Sequence, residues 1–118
     1  MKFYYNGKLV RTSKTHAYTH AVLTPNGDTF SCSSSREGAV KALQAKINEW
    51  EQIRSNYRNA IKALEAGRPY YFSKYGRREV KQSLSGKTVA DYERMLAEAE
   101  RIIANYNAHQ IVELEARD

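Results

Sequence analysis

The stretch that most constrains the fold runs from Ser34 to Ala66. Its apolar residues Val40, Leu43, Ile47, Trp50, Tyr57, Ile61 and Leu64 follow one another in steps of three and four, and Arg54 alone interrupts the seam. That spacing predicts one helix whose seam packs along a second helix. Ser34 with Glu37 three residues later fits a capping box at its start, and Gly67 supplies the stop. At ~1.5 Å per residue the helix is about 48 Å long, far more than a small sheet can cover. Something else must cover its far half.

Residues 88–108 supply it. Val89, Tyr92, Leu96, Ala99, Ile103 and Tyr106 repeat the three-four step, and Thr88 with Asp91 marks a capped start. The two patterns match as antiparallel partners. Residues 1–33 read differently. Phe3-Tyr4-Tyr5 and Lys8–Arg11 flank Asn6-Gly7, the dipeptide that best tolerates the positive φ angles of a type I′ hairpin turn. A third β-prone run, Tyr18–Leu23, is followed by the reversal Thr24-Pro25-Asn26-Gly27-Asp28 and a short run at Thr29–Cys32. Residues 109–118 fit a short strand with Val112 and Leu114 inward or a frayed last turn, and we favour a strand that returns to the sheet. The expected fold class is α+β in a single domain: an N-terminal antiparallel β-meander of three to four strands, then two long antiparallel α-helices and a short C-terminal strand. With 118 residues there is enough chain for one core and hardly two.

Chemistry is constrained more by what the sequence lacks. Cys32 is the single cysteine, so no internal disulfide is available, and the opening Met1–Tyr5 leads into a hairpin instead of an apolar signal segment. We therefore expect a reducing, cytoplasmic setting and no membrane association. His16, His20 and His109 share no ligand spacing with Cys32, which argues against a metal site. His16 and His20 read as a solvated or sheet-face pair. Ser85-Gly86-Lys87-Thr88 ends like a nucleotide-binding phosphate loop, but Lys81 stands where that loop needs its first glycine. No nucleophile with a base and no paired carboxylates stand out. A binding protein without cofactor, not an enzyme, is the expectation.

A net charge of +6 and a pI near 9.5 favour anionic partners. The cations concentrate between the helices, where residues 67–87 carry Arg68, Lys74, Arg77, Arg78, Lys81 and Lys87 against Glu79, interleaved with Tyr70, Tyr71, Phe72 and Tyr75. Cations neutralise phosphates and rings stack on bases. Arg77, Arg78 and Lys87 are thus candidate phosphate ligands, and Tyr71, Phe72 and Tyr75 candidate stacking partners. Thr88, at a helix N-terminus, offers free amides to a phosphate, and so does Ser34, crowded by Ser31, Ser33 and Ser35 and followed by Arg36. Arg54 either snorkels from the seam or, with Tyr57 and Arg58, faces an anionic ligand. Plainer readings stand beside these: the basic segment covers the open end of the helical hairpin or forms a dimer surface, and the serines are a loop with one cap.

The opening KFYYNGKLVRTSK, the YTHAV strand and the entry FSCSSSREGAVKAL into the first helix, together with the order of elements, resemble the phage-encoded Thoeris anti-defence sponge proteins. The resemblance spans most of the chain. It implies a non-enzymatic, homodimeric or larger homo-oligomeric protein of the infected bacterial cytoplasm. Such a protein sequesters cyclic ADP-ribose isomers made by TIR-domain immune enzymes, and cyclic oligonucleotides in some members. The family's ligand residues do not map onto this chain position by position. As an alternative, a three-stranded sheet on a helix resembles the arm-type DNA-binding domains of phage integrases, which implies nucleic-acid contacts from Lys2, Lys8, Arg11 and Lys14. A protein–protein inhibitor is a third reading.

Overall fold

The computed structural model describes residues 1–67, the backbone of 72–73 and 79–80, and residues 87–118. The fold is α+β, with eight strands and two helices among the described residues, in the order β1 (Lys2–Tyr5), β2 (Lys8–Thr12), β3 (His20–Leu23), β4 (Thr29–Ser33), α1 (Arg36–Glu65), β5 (Phe72–Ser73), β6 (Glu79–Val80), α2 (Val89–Asn107), β7 (Gln110–Glu113) and β8 (Glu115–Arg117). Neither helix is long and apolar enough to cross a membrane. The chain forms two compact units, one of Met1–Asn48 with Ala104–Asp118 and one of Glu49–Ile103.

In the first unit the N-terminal strands are two hairpins, as their turns predict. Asn6 and Gly7 take φ angles of 48° and 78°, the left-handed pair that a type I′ turn requires. The second reversal closes with the Gly27 N–H donating to the Thr24 carbonyl at 2.8 Å. The pairing adds what the sequence does not spell out. Each hairpin belongs to its own antiparallel sheet, in the orders β2-β1-β8 and β4-β3-β7. The C-terminal strand expected to return does so twice, β7 pairing with β3 and β8 with β1. The change of sheet falls at Leu114, whose N–H donates to the Thr19 carbonyl at 2.8 Å.

The core lies between the sheets. Ala21, Leu23 and Val112 of the second sheet are buried against Tyr5 and Val10 of the first, with Cys32 and Leu114 at the edges of the cluster. Two bulges adjust the strands to this packing. Register passes from Phe3↔Arg11 to Tyr4↔Leu9, leaving Val10 as an extra residue, and from Val22↔Ser31 to Leu23↔Thr29, leaving Phe30 extra. The Phe30 ring meets Tyr106 and His109 edge-on, with centroids 5.8 and 5.4 Å away, which ties β4 to the end of α2.

Two details at the first helix differ from the sequence reading. Ser35, not Ser34, is the cap: its hydroxyl accepts the Gly38 N–H at 3.0 Å. Glu37 consequently sits one position too early to reach back, and its carboxylate pairs with Lys41 at 3.1 Å instead. Adjacent serines have equal capping chemistry, and Gly38 leaves room for the Ser35 hydroxyl, since a Cβ there would lie only 3.2 Å from its oxygen. Val40 is the second correction. It is 38 % exposed while Ala39 beside it is fully buried, so the seam begins one residue earlier.

In the second unit, Ala60 and Ala63 of α1 and Tyr92, Ala99 and Ile103 of α2 are buried. The two helices meet through the rings of Tyr57 and Tyr92, centroids 6.1 Å apart. Arg58 and Glu100 add an ion pair at 2.9 Å on the exposed flank. Arg54 and Ile53 are both half-buried, sharing the interrupted seam position. The last turn of α1 closes as predicted, with Gly67 at φ 70° and its N–H donating to the Leu64 carbonyl. Within the basic connection the described backbone is an antiparallel pair, Phe72↔Val80 and Ser73↔Glu79.

Candidate functional site

The described residue types suited to an anionic ligand converge at the N-terminus of α1. The polar turn after β2 is set by Ser13, whose hydroxyl accepts the N–H groups of Thr15 at 3.3 Å and His16 at 3.0 Å. Extended backbone then points His16 and Tyr18, two residues apart, to one side. Their rings stack almost parallel, 6° between planes and 5.5 Å between centroids. Phe3, only 1 % exposed, holds the Tyr18 ring edge-on at 5.4 Å. The Arg11 guanidinium lies 5.6 Å from the same ring, a cation–π contact. Tyr18 is thus braced from three sides, and His16 is its exposed partner.

Beside this platform runs an open groove of about 410 Å³ lined by His16, Tyr18, Cys32, Ser33, Ser34, Ser35 and Gly38, with Ala17. Gly38 narrows the distance between helix and strand, since its missing side chain would also meet Ser33 Cβ at 3.4 Å. The Ser35 hydroxyl and carbonyl accept the amides of Gly38 and Ala39. The amides of Arg36 and Glu37 have no protein partner among the described residues and keep the positive end of α1 open. In chemical terms the groove offers hydroxyl and amide donors, the positive end of a helix and an imidazole whose Nδ1 is engaged by the Thr15 hydroxyl at 3.0 Å. Cys32 adds no nucleophile of note: burial pushes its thiol up, and the Arg11 charge only partly opposes that. Among the described residues no group of His, Cys, Asp and Glu could hold a metal ion.

Of the residues singled out in the sequence, Ser34 lines the groove and Arg36, exposed, takes the first helical position beside it. Arg54 lies in the second unit. Lys87 and Thr88 are also in that unit, and their chemistry is already committed. The Thr88 N–H donates to Asp91 Oδ2 at 2.9 Å and the Asp91 N–H to Thr88 Oγ1 at 3.2 Å, so the chain's own carboxylate fills the place expected for a phosphate. The Thr88 amide, then its hydroxyl, hold the Asp91 carboxyl below the usual carboxylate range. Lys87 extends over the Tyr92 ring, Nζ 5.8 Å from its centroid. Tyr71, Tyr75, Arg77 and Arg78 lie outside the described residues, as does the side chain of Phe72.

Sequence reasoning did not assign His16 and Tyr18 to the groove, nor Arg11 to the Tyr18 ring behind it. Their signal was present in the i, i+2 spacing of two rings in an extended segment, but Arg11 comes to them from another strand. No family model, curated protein or solved structure matches this chain.

Proposed function

We propose that the protein is a non-enzymatic binding protein that captures a small anionic nucleotide in the groove before α1. One arrangement carries the reading: the braced His16–Tyr18 stack stands beside serine hydroxyls and two unpartnered amides at a helix N-terminus. In this reading a phosphate takes the amides of Arg36 and Glu37 and the hydroxyls of Ser33 and Ser34, the exposed Arg36 side chain supplies a cation, and a base stacks on His16. The connection between the helices, with Tyr71, Phe72, Tyr75, Arg77 and Arg78, is proposed separately as a second place for nucleotide contacts. The resemblance to the anti-defence sponges narrows the ligand to a cyclic nucleotide signal, first a cyclic ADP-ribose isomer and next a cyclic oligonucleotide, held by a homo-oligomer. Capture without turnover then lowers the free signal below what its receptor needs.

Calorimetry with cyclic ADP-ribose isomers and cyclic di- and trinucleotides tests this, followed by release of the ligand on heating. Saturable binding and unaltered ligand are expected, with His16→Ala weakening it about ten-fold through loss of a stacking contact of about 1–3 kcal/mol. Recovery of altered ligand would establish an enzyme. No binding by any of these compounds would remove the reading.

A second reading has its own observation. The outward face of the first sheet places Lys2 beside Arg117 and Tyr4 beside Leu9, alternating with the buried Phe3. Lys2 supplies a cation there for duplex DNA, but Glu115 lies opposite Tyr4 on the same face and holds Arg117 in an ion pair at 3.0 Å, and Arg11 is turned onto Tyr18. Salt separates the two readings: duplex affinity falls steeply with log salt, by a slope of about 0.9 per phosphate neutralised, and a groove-bound nucleotide responds far less.

A further inference from the structure

The first unit contains a second hollow, and its chemistry is different. It lies between the tips of the two N-terminal hairpins and has a volume of about 460 Å³. Leu23, 6 % exposed, and the half-buried Tyr5 and Val10 form its apolar lining, continuous with the core between the sheets. Lys8 contributes from the first hairpin and Asp28 from the second. Asn6, Thr29 and Gln110 complete the polar edge. Clefts of this size are where small ligands bind, and this one has a mixed lining, with an apolar floor and a polar mouth.

Lys8 and Asp28 decide the ligand class. They line one cleft from different hairpins, yet neither forms an ion pair among the described residues. An anion alone would meet Asp28 repulsively, and a cation alone would meet Lys8 in the same way. A molecule carrying both charges next to an apolar group satisfies both side chains and the floor. We infer that this cleft binds a free amino acid or a close relative with an apolar or aromatic side chain. Its carboxylate faces Lys8, its ammonium faces Asp28, and its side chain lies against Leu23, Val10 and Tyr5. The site is independent of the groove before α1, with no shared lining residue.

Amide NMR titrations of the full chain test this with three probes: phenylalanine, phenethylamine, which lacks the carboxylate, and hydrocinnamate, which lacks the ammonium. Phenylalanine should give saturable shifts at Asn6–Val10 and Thr24–Thr29. Each single-charge probe should bind about five-fold more weakly, the scale of one exposed charge contact. Lys8→Gln should abolish the preference for phenylalanine over phenethylamine, and Asp28→Asn its preference over hydrocinnamate. Both side chains are exposed and make no hydrogen bond among the described residues, so the variants should fold as the parent does. The inference is overturned if phenylalanine gives no saturable shift up to its solubility, if the three probes bind alike, if both preferences survive in both variants, or if the shifts fall at Ser33–Gly38.

Discussion

Gly38 should behave differently according to what stands at position 35. Within a helix, glycine is less favourable than alanine by up to about 1 kcal/mol, so Gly38→Ala has that much to gain at an ordinary negative φ. Here the added Cβ falls 3.2 Å from Ser35 Oγ and 3.4 Å from Ser33 Cβ, tighter than normal packing against the hydroxyl that caps the helix. Displacing that hydroxyl forfeits the cap, about 1 kcal/mol, and the two effects nearly cancel. Ser35→Ala alone should cost about 1 kcal/mol, a fall in melting temperature of about 4 °C for a chain of this size. In the Ser35→Ala background the hydroxyl is gone, and Gly38→Ala should then recover most of that loss. Urea denaturation followed by circular dichroism on the four proteins gives the coupling, expected at about 1 kcal/mol. Strict additivity would refute the assignment of Ser35 as the cap and of Gly38 as the residue that makes room for it.

Other positions test other parts of the structure. Tyr92 is 2 % exposed, and its buried hydroxyl has no hydrogen-bond partner among the described residues, so Tyr92→Phe should leave stability unchanged or raise it by up to about 1 kcal/mol in chemical denaturation. A clear loss would reveal a partner for the hydroxyl. Asp91→Asn should weaken the start of α2 near neutral pH, seen as a lower melting temperature. Because the Asp91 carboxyl is held below its unfolded value, its contribution is present above that value and lost as pH falls through the folded one, so melting temperature should fall less with acid in the variant than in the parent. Leu23→Ala, in the core between the sheets, should cost about 2–4 kcal/mol, measured by the same denaturation, and should loosen both hairpins together.

The parts of the fold that depend on neighbouring residues were legible in the sequence. Asn6-Gly7 fixes a turn, Gly67 ends a helix, and the Thr88–Asp91 pair begins one, because each acts through atoms within three or four residues. Where two adjacent residues are chemically equal, local reasoning fails. Ser34 and Ser35 are equal as caps until the space at Gly38 is known, and Ala39 and Val40 until the neighbouring surface is known. Partner choice was harder still. One run of four β-prone strands pairs as easily into one sheet as into two, and the answer rests on residues 110–117, distant in sequence from the strands they join. The candidate groove was half legible for the same reason: Ser33, Ser34 and Ser35 are contiguous, whereas Arg11, Phe3 and Tyr18 meet only after the hairpins have folded.

That distant pairing also sets a clock. β1 must find Glu115–Arg117, and β3 must find Gln110–Glu113, before either sheet has its third strand, and a lone two-stranded hairpin is marginal in water. The two helices can form from local contacts in microseconds, but the sheets must wait for closure of loops that span most of the chain. Refolding should therefore show helical circular dichroism early and burial of Phe3 and Leu23 late, with the step through Leu114 completing both sheets in one event.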